Sequence, residues 1–164
     1  MQTPSVVSSA DHEPSLPDSL RFMKLLWALS HGLDRTSKHM ARRLGVTGPQ
    51  RFVLRIVGLM PGLSAGDLAA MLHVHPSTLT GILQRLVSQQ MLVRAPDAKD
   101  RRRAVLHLTA KGARINAAAS GTVEAAVNRA LDEVSPHDRA ACRRVIECVT
   151  IHLDSNVSHN GRAR

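Results

Sequence analysis

Between Pro61 and Lys111 the stop and start signals of helices stand so close together that the chain is confined to short elements joined by tight turns. Pro61-Gly62 ends one helix. Ser64, followed by Asp67, opens the next with an N-cap and a capping box, and Leu63 with Leu68 has the spacing of a hydrophobic staple. That helix ends near Leu72, and Pro76 suits the first turn of another, because proline's missing N–H costs nothing there. Leu79, Ile82, Leu83 and Leu86 then recur at helical spacing and face inward, which leaves Ser77, Thr78, Thr80, Gly81, Gln84 and Arg85 on the outer side. Met91 to Arg94 has strand composition and Pro96 to Asp100 has turn chemistry. Arg103 to Thr109 alternates, with Ala104, Leu106 and Leu108 on one side, so a two-stranded hairpin is expected. Helix, tight turn, helix and hairpin is the layout of a winged helix-turn-helix.

The flanks read as long helices. Phe22, Leu25, Leu26, Leu29 and Leu33 form a helical stripe in a first helix that ends near Gly45. Thr47 caps a second, with Pro49 in its first turn and Phe52, Val53, Ile56, Val57 and Met60 as its inward face. Thr109 caps a fifth helix reaching about Val134, and Ser135 to Asp138 opens a sixth. The stripe of the first helix and that of the last, Val145, Val149 and Leu153, are too apolar to stay in water, so subunits should pair through them. The expected class is mainly α with a small two-stranded β wing. Residues 1–17 should be a flexible tail, 18–46 and 110–155 a helical dimerisation region, 47–109 the DNA-binding lobe, and 156–164 a flexible basic tail.

Charge points to the partner. The chain of 164 residues carries a formal net charge of +9, and from Ser77 to Lys111 seven cations face two carboxylates, so the positive charge is concentrated on the hairpin and its neighbour. Two Phe, one Trp and no Tyr argue against stacking on single-stranded nucleic acid as the main activity. No apolar run has the length of a membrane span, no signal peptide is visible, and a cytoplasmic protein without membrane partners is expected. No phosphate loop, nucleophile elbow or paired carboxylates in an apolar setting appear, so neither an enzyme nor a cofactor is expected. The nine histidines lack metal-ligand spacing, and Cys142 and Cys148 read as reduced structural thiols. Two other classes stay open on the residues alone: a non-specific nucleoid-type DNA binder and a non-catalytic protein-interaction module.

The stretches Leu63-Ser64-Ala65-Gly66-Asp67-Leu68-Ala69, Ser77-Thr78-Leu79-Thr80 through Arg85-Leu86, Pro96 to Arg102 and Leu106-His107-Leu108-Thr109-Ala110-Lys111-Gly112 closely resemble the MarR (multiple antibiotic resistance regulator) family of bacterial transcription factors. The resemblance covers nearly all of the chain between the tails. It implies a homodimer whose first, fifth and sixth helices intertwine, acting as a repressor on double-stranded, pseudo-palindromic operator DNA and released by a small aromatic or phenolic effector. It assigns base reading to Ser77, Thr78, Thr80, Gly81, Gln84 and Arg85, and phosphate and wing contacts to Ser64, Lys99, Arg101, Arg102 and Arg103. Asp97 and Asp100 are read as wing struts, Asp100 with Arg102, because carboxylates repel phosphate but can fix the direction of an arginine. By position Trp27, His31 and Arg51 would line the effector pocket. Two positions depart from the family pattern. Lys99 stands where arginine is usual, and Gln90 replaces a glycine at a site that tends to need positive φ, so the fourth helix is expected to end differently.

Overall fold

The computed structural model describes residues 16–98, 100 and 102–160, with side chains described to residue 155. The elements are α1 (Asp18–Leu44), α2 (Gly48–Leu59), α3 (Ala65–Leu72), α4 (Pro76–Ser88), β1 (Leu92–Pro96), β2 (Ala104–Leu108), α5 (Ala110–Ala117), α6 (Val123–Asp132) and α7 (Pro136–Asn160). Local chemistry sets most of the starts. Thr47 and Ser64 each close a full capping box, with Gln50 and Asp67 respectively, and the Thr109 hydroxyl accepts from Gly112 N at 3.1 Å. Ser135 caps α7 in the same way through Asp138 N.

Strands β1 and β2 pair antiparallel in the register Leu92↔Leu108 to Pro96↔Ala104. Pro96, which has no N–H to donate, sits at the strand end. The other edge of β2 is covered by the turn before α3: Leu106 N donates to Leu63 O at 2.9 Å and Ser64 bridges Val105. That third line of pairing buries Val105 along with Leu106 and leaves Ala104 exposed, in place of the simple alternation expected for this strand.

The hydrophobic core belongs to one lobe. Val46, Val53, Leu54, Val57, Leu68, Leu79, Leu83, Leu86, Met91, Leu92 and Leu106 are all at most 3% exposed and make one cluster. On α2 the buried face is Gln50, Arg51, Val53, Leu54 and Val57, whereas Phe52 and Met60, expected inside, are exposed. Outside the lobe the packing is one-sided. Helix α6 buries no residue, and Leu25, Trp27 and Leu29 on α1 and Ile151 and Leu153 on α7 are more than half exposed.

Two boundaries differ from expectation. The fifth helix does not reach Val134: it stops at Ala117, and a new helix starts at Val123. The last helix continues to Asn160, past the residue 155 at which the helical region was expected to end. Both cysteines are free and exposed on it. Among the described residues no helix is long and apolar enough to cross a membrane.

Candidate nucleic-acid interface

Helix α4 is held by burial of Leu79, Leu83 and Leu86, and the opposite face therefore points outward as one strip. Ser77, Thr78, Thr80, Gly81, Gln84 and Arg85 are all exposed on it. The start of the helix carries a cap that the sequence reading did not include: His75 Nδ1 accepts from Ser77 N at 3.3 Å and lies 2.7 Å from Ser77 Oγ. Thr80 Oγ1 donates to Pro76 O at 2.8 Å, which leaves its oxygen free to accept from outside.

The other end of α4 is locked to α5. Gln90 adopts φ +57, Gln90 N donates to Val87 O and Met91 N donates to Leu86 O, each at 2.9 Å. This is a complete Schellman closure, so the helix ends in left-handed geometry despite lacking glycine, which corrects the expectation of a different ending. Helix α5 then uses the exposed carbonyls: Lys111 Nζ donates to Gln89 O at 2.9 Å, Thr109 Oγ1 to Gln90 O at 2.6 Å and Thr109 N to Met91 O at 3.1 Å. The need for αL at Gln90 costs a non-glycine residue about 1 kcal/mol. Gln90→Gly should accordingly raise stability by up to about 1 kcal/mol in denaturant titrations, without altering the exposed strip.

The wing projects beside this strip. Its tip is closed by Asp97 N to Arg103 O at 2.8 Å and Arg103 N to Asp100 O at 2.9 Å. Asp100 Oδ1 accepts from Arg102 N at 3.0 Å and Arg102 Nε at 3.3 Å, the expected strut, while the Arg102 side chain stays 93% exposed. Asp97 contributes its backbone to the tip. Lys99 and Arg101 lie outside the described residues.

Ser64 and Arg103, both assigned to DNA from sequence, meet each other in the subunit. Arg103 Nη2 pairs with Asp67 and lies 3.3 Å from Ser64 Oγ, which itself donates to Asp67 Oδ2 at 2.8 Å. The Ser64 hydroxyl and N–H, followed by the Arg103 guanidinium, hold the Asp67 carboxyl below the usual carboxylate range. The wing is thereby pinned to the N-terminus of α3.

The three residues expected to share an effector pocket are not brought together within the subunit. Trp27 is 66% exposed and donates its indole N–H to His31. It lines a cleft of about 430 Å³ with Leu20, Met23, Lys24 and Ala28, which includes neither His31 nor Arg51. Arg51 is 2% exposed and its guanidinium is occupied by Glu124 and by the carbonyls at the end of α5. It is a structural clasp, because a buried guanidinium needs all its donors satisfied.

Residues 44–103, which run from the end of α1 through α2, α3, α4 and β1 to the wing tip, match the model of the MarR family. The HTH-type transcriptional regulator TtmR of Methylorubrum extorquens is 31% identical over 102 residues, covering 62% of this chain and 51% of that protein, so the chain spans about half the length of this relative. The HTH-type transcriptional repressor Rv2887 of Mycobacterium tuberculosis is 29% identical over 104 residues, covering 63% of this chain and 75% of that protein. In the crystal structure of the S. aureus MepR–DNA complex the protein superposes with a TM-score of 0.66 at 19% identity, over 80% of this chain and 97% of that one, which shows a shared fold. The family match falls on the stretch that builds the exposed α4 strip, β1 and the wing tip, and the fold agrees with that of MepR along nearly the whole of that chain: over its central 60 residues this protein is similar to the MarR family, and its fold is the one those structures share.

Proposed function

We propose that the protein is a dimeric, sequence-specific DNA-binding transcriptional regulator that acts as a repressor. The observation that carries this reading is the strip of hydroxyl, amide and guanidinium groups on α4, exposed opposite three buried leucines and flanked by a cationic wing. Those are the groups that read base edges in the major groove, while the wing's cations suit phosphate. Arg102 is the described cation best placed for that, since Ser64 and Arg103 hold the wing in place. Residues 47–109 act as the DNA-binding lobe, and 18–46 with 110–155 as the dimerisation region.

Pairing of subunits is supported by the exposed apolar residues of α1 and α7, since so much apolar surface is rarely left in water. Sedimentation at micromolar concentration should give a dimer, and two α4 helices then address half-sites about one helical turn apart. A small aromatic or phenolic effector bound near Trp27 would release DNA by preferring a dimer whose two α4 helices are misplaced.

The test is selection of a duplex from a random pool, followed by titration of variants. A pseudo-palindrome should be enriched, and salicylate should weaken its binding. Thr80→Ala or Gln84→Ala should cost roughly 1–3 kcal/mol on the selected duplex and almost nothing on a scrambled one. Lys99→Ala with Arg101→Ala should weaken both and flatten the dependence of log K on log salt by about one unit per lost contact. Enrichment of no sequence would instead indicate a non-specific nucleoid-type binder, and no retention of DNA would indicate a protein-interaction module.

A further inference from the structure

The connection between α5 and α6 departs furthest from its own local preferences. Ala117, Ala118 and Ala119 are the strongest helix formers, and of the residues leading to Thr122 only Ser120 and Gly121 oppose continuation. Even so, α5 stops at Ala117 and α6 begins at Val123, behind a Thr122 cap that is 2% exposed. In one continuous helix the carbonyls of Ile115, Asn116, Ala118 and Ser120 would accept from N–H groups four residues further on. Here guanidinium groups of other helices supply donors to those carbonyls.

Arg51 of α2 donates to Ile115 O, to Asn116 O at 3.4 Å and to Ala118 O at 2.6 Å, and its Nε pairs with Glu124 in the first turn of α6. Arg55 donates to Asn116 Oδ1 at 3.2 Å, and Arg43 of α1 donates to Ser120 O. Gly121 completes the bend at φ +65, where a Cβ would come within 2.8 Å of the Arg43 guanidinium. Four of the carbonyls that the bend takes out of a continuous helix, those of Ile115, Asn116, Ala118 and Ser120, thus have replacement donors, and either arrangement satisfies these four.

We propose that residues 117–122 are a two-state hinge. The chain is bent while Arg43 and Arg51 hold the carbonyls, and straight when α5 and α6 merge into one helix. Because α5 is bonded to the end of α4 and α6 belongs to the dimerisation region proposed above, straightening re-aims the α4 strip relative to the rest of the dimer. That consequence rests on the DNA-binding reading, whereas the hinge itself does not.

Spin labels at Ala70 and Asn128 test it, placed in the full chain with Cys142→Ser and Cys148→Ser and diluted with unlabelled protein so that distances within one subunit are read. The wild-type chain should show the bent distance. Gly121→Ala, which favours helix and crowds Arg43, and Arg43→Met, which removes the Ser120 donor, should each add a population shifted by about one helical pitch, ~5 Å, with increased helical circular dichroism. Affinity for the selected duplex should fall tenfold or more in both variants. Wild-type distances in folded Gly121→Ala and Arg43→Met would overturn the hinge, and Arg43→Met decides alone if the alanine variant does not fold. Shifted distances with unchanged affinity would overturn its role in DNA binding. If the wild-type chain enriches no duplex, the DNA reading fails while the distances still decide the hinge.

Discussion

Gly112→Ala should destabilise the subunit by about 3 kcal/mol or more, the upper range for over-packing, when measured by denaturant unfolding at fixed protein concentration. A Cβ on Gly112 would fall on the carbonyl oxygen of Met91, and backbone cannot step aside as a side chain can. The same carbonyl accepts from Thr109 N, so moving α5 away would also break the bond that holds it to the end of α4. Gly81→Ala makes the same chemical change on α4, where nothing lies within 4 Å of the added carbon. That variant should be stabilised by about 1 kcal/mol through helix propensity. Opposite signs from one substitution type would show that close approach, and not glycine's flexibility, is what Gly112 provides. Equal effects would contradict the packing described for α4 and α5.

Arg51→Met should lower stability by about 3 kcal/mol, within the range for breaking a buried ion pair by removing one partner. Methionine restores much of the volume but none of the donors, so the carbonyls of Ile115, Asn116 and Ala118 and the Glu124 carboxylate lose a partner that is 2% exposed. Glu124 keeps part of its hydration and lies 4.0 Å from Arg55, which keeps the loss below that of a fully buried pair. A melting temperature lowered by roughly 6–12 °C is the expected reading for a chain of this size. A variant that melts like the parent would show that Arg51 is not the clasp of this connection.

The starts of the helices were legible because each is decided within a few residues. Thr47, Ser64, Thr109 and Ser135 each accept from an N–H three residues on, and a sequence displays that spacing directly. The α4 strip was legible for a similar reason, since the i, i+4, i+7 spacing of Leu79, Leu83 and Leu86 assigns the opposite face to solvent. What the sequence could not display was the employment of long side chains. Arg103 was read as a phosphate contact from its place in the wing, and nothing local to it shows that it also reaches back to Asp67, 36 residues away. Arg51 was read as pocket lining, but it reaches Glu124 and the end of α5.

By itself the sequence determined the order of elements from α1 to the wing, the outward strip of α4 and the motif from Leu106 to Gly112, because caps, turns and periodicity act over distances of one or two turns. Only the tertiary structure decided that Val105 is buried, that Gln90 takes a left-handed conformation and that the run Ala117-Ala118-Ala119 ends a helix instead of continuing it. Each of these is imposed by a partner distant in sequence: Ser64 against Val105, α5 against the end of α4, and the guanidinium groups of Arg43 and Arg51 against carbonyls whose own neighbours favour helix. Local preference amounts to a fraction of a kilocalorie per residue, and a satisfied buried guanidinium outweighs it.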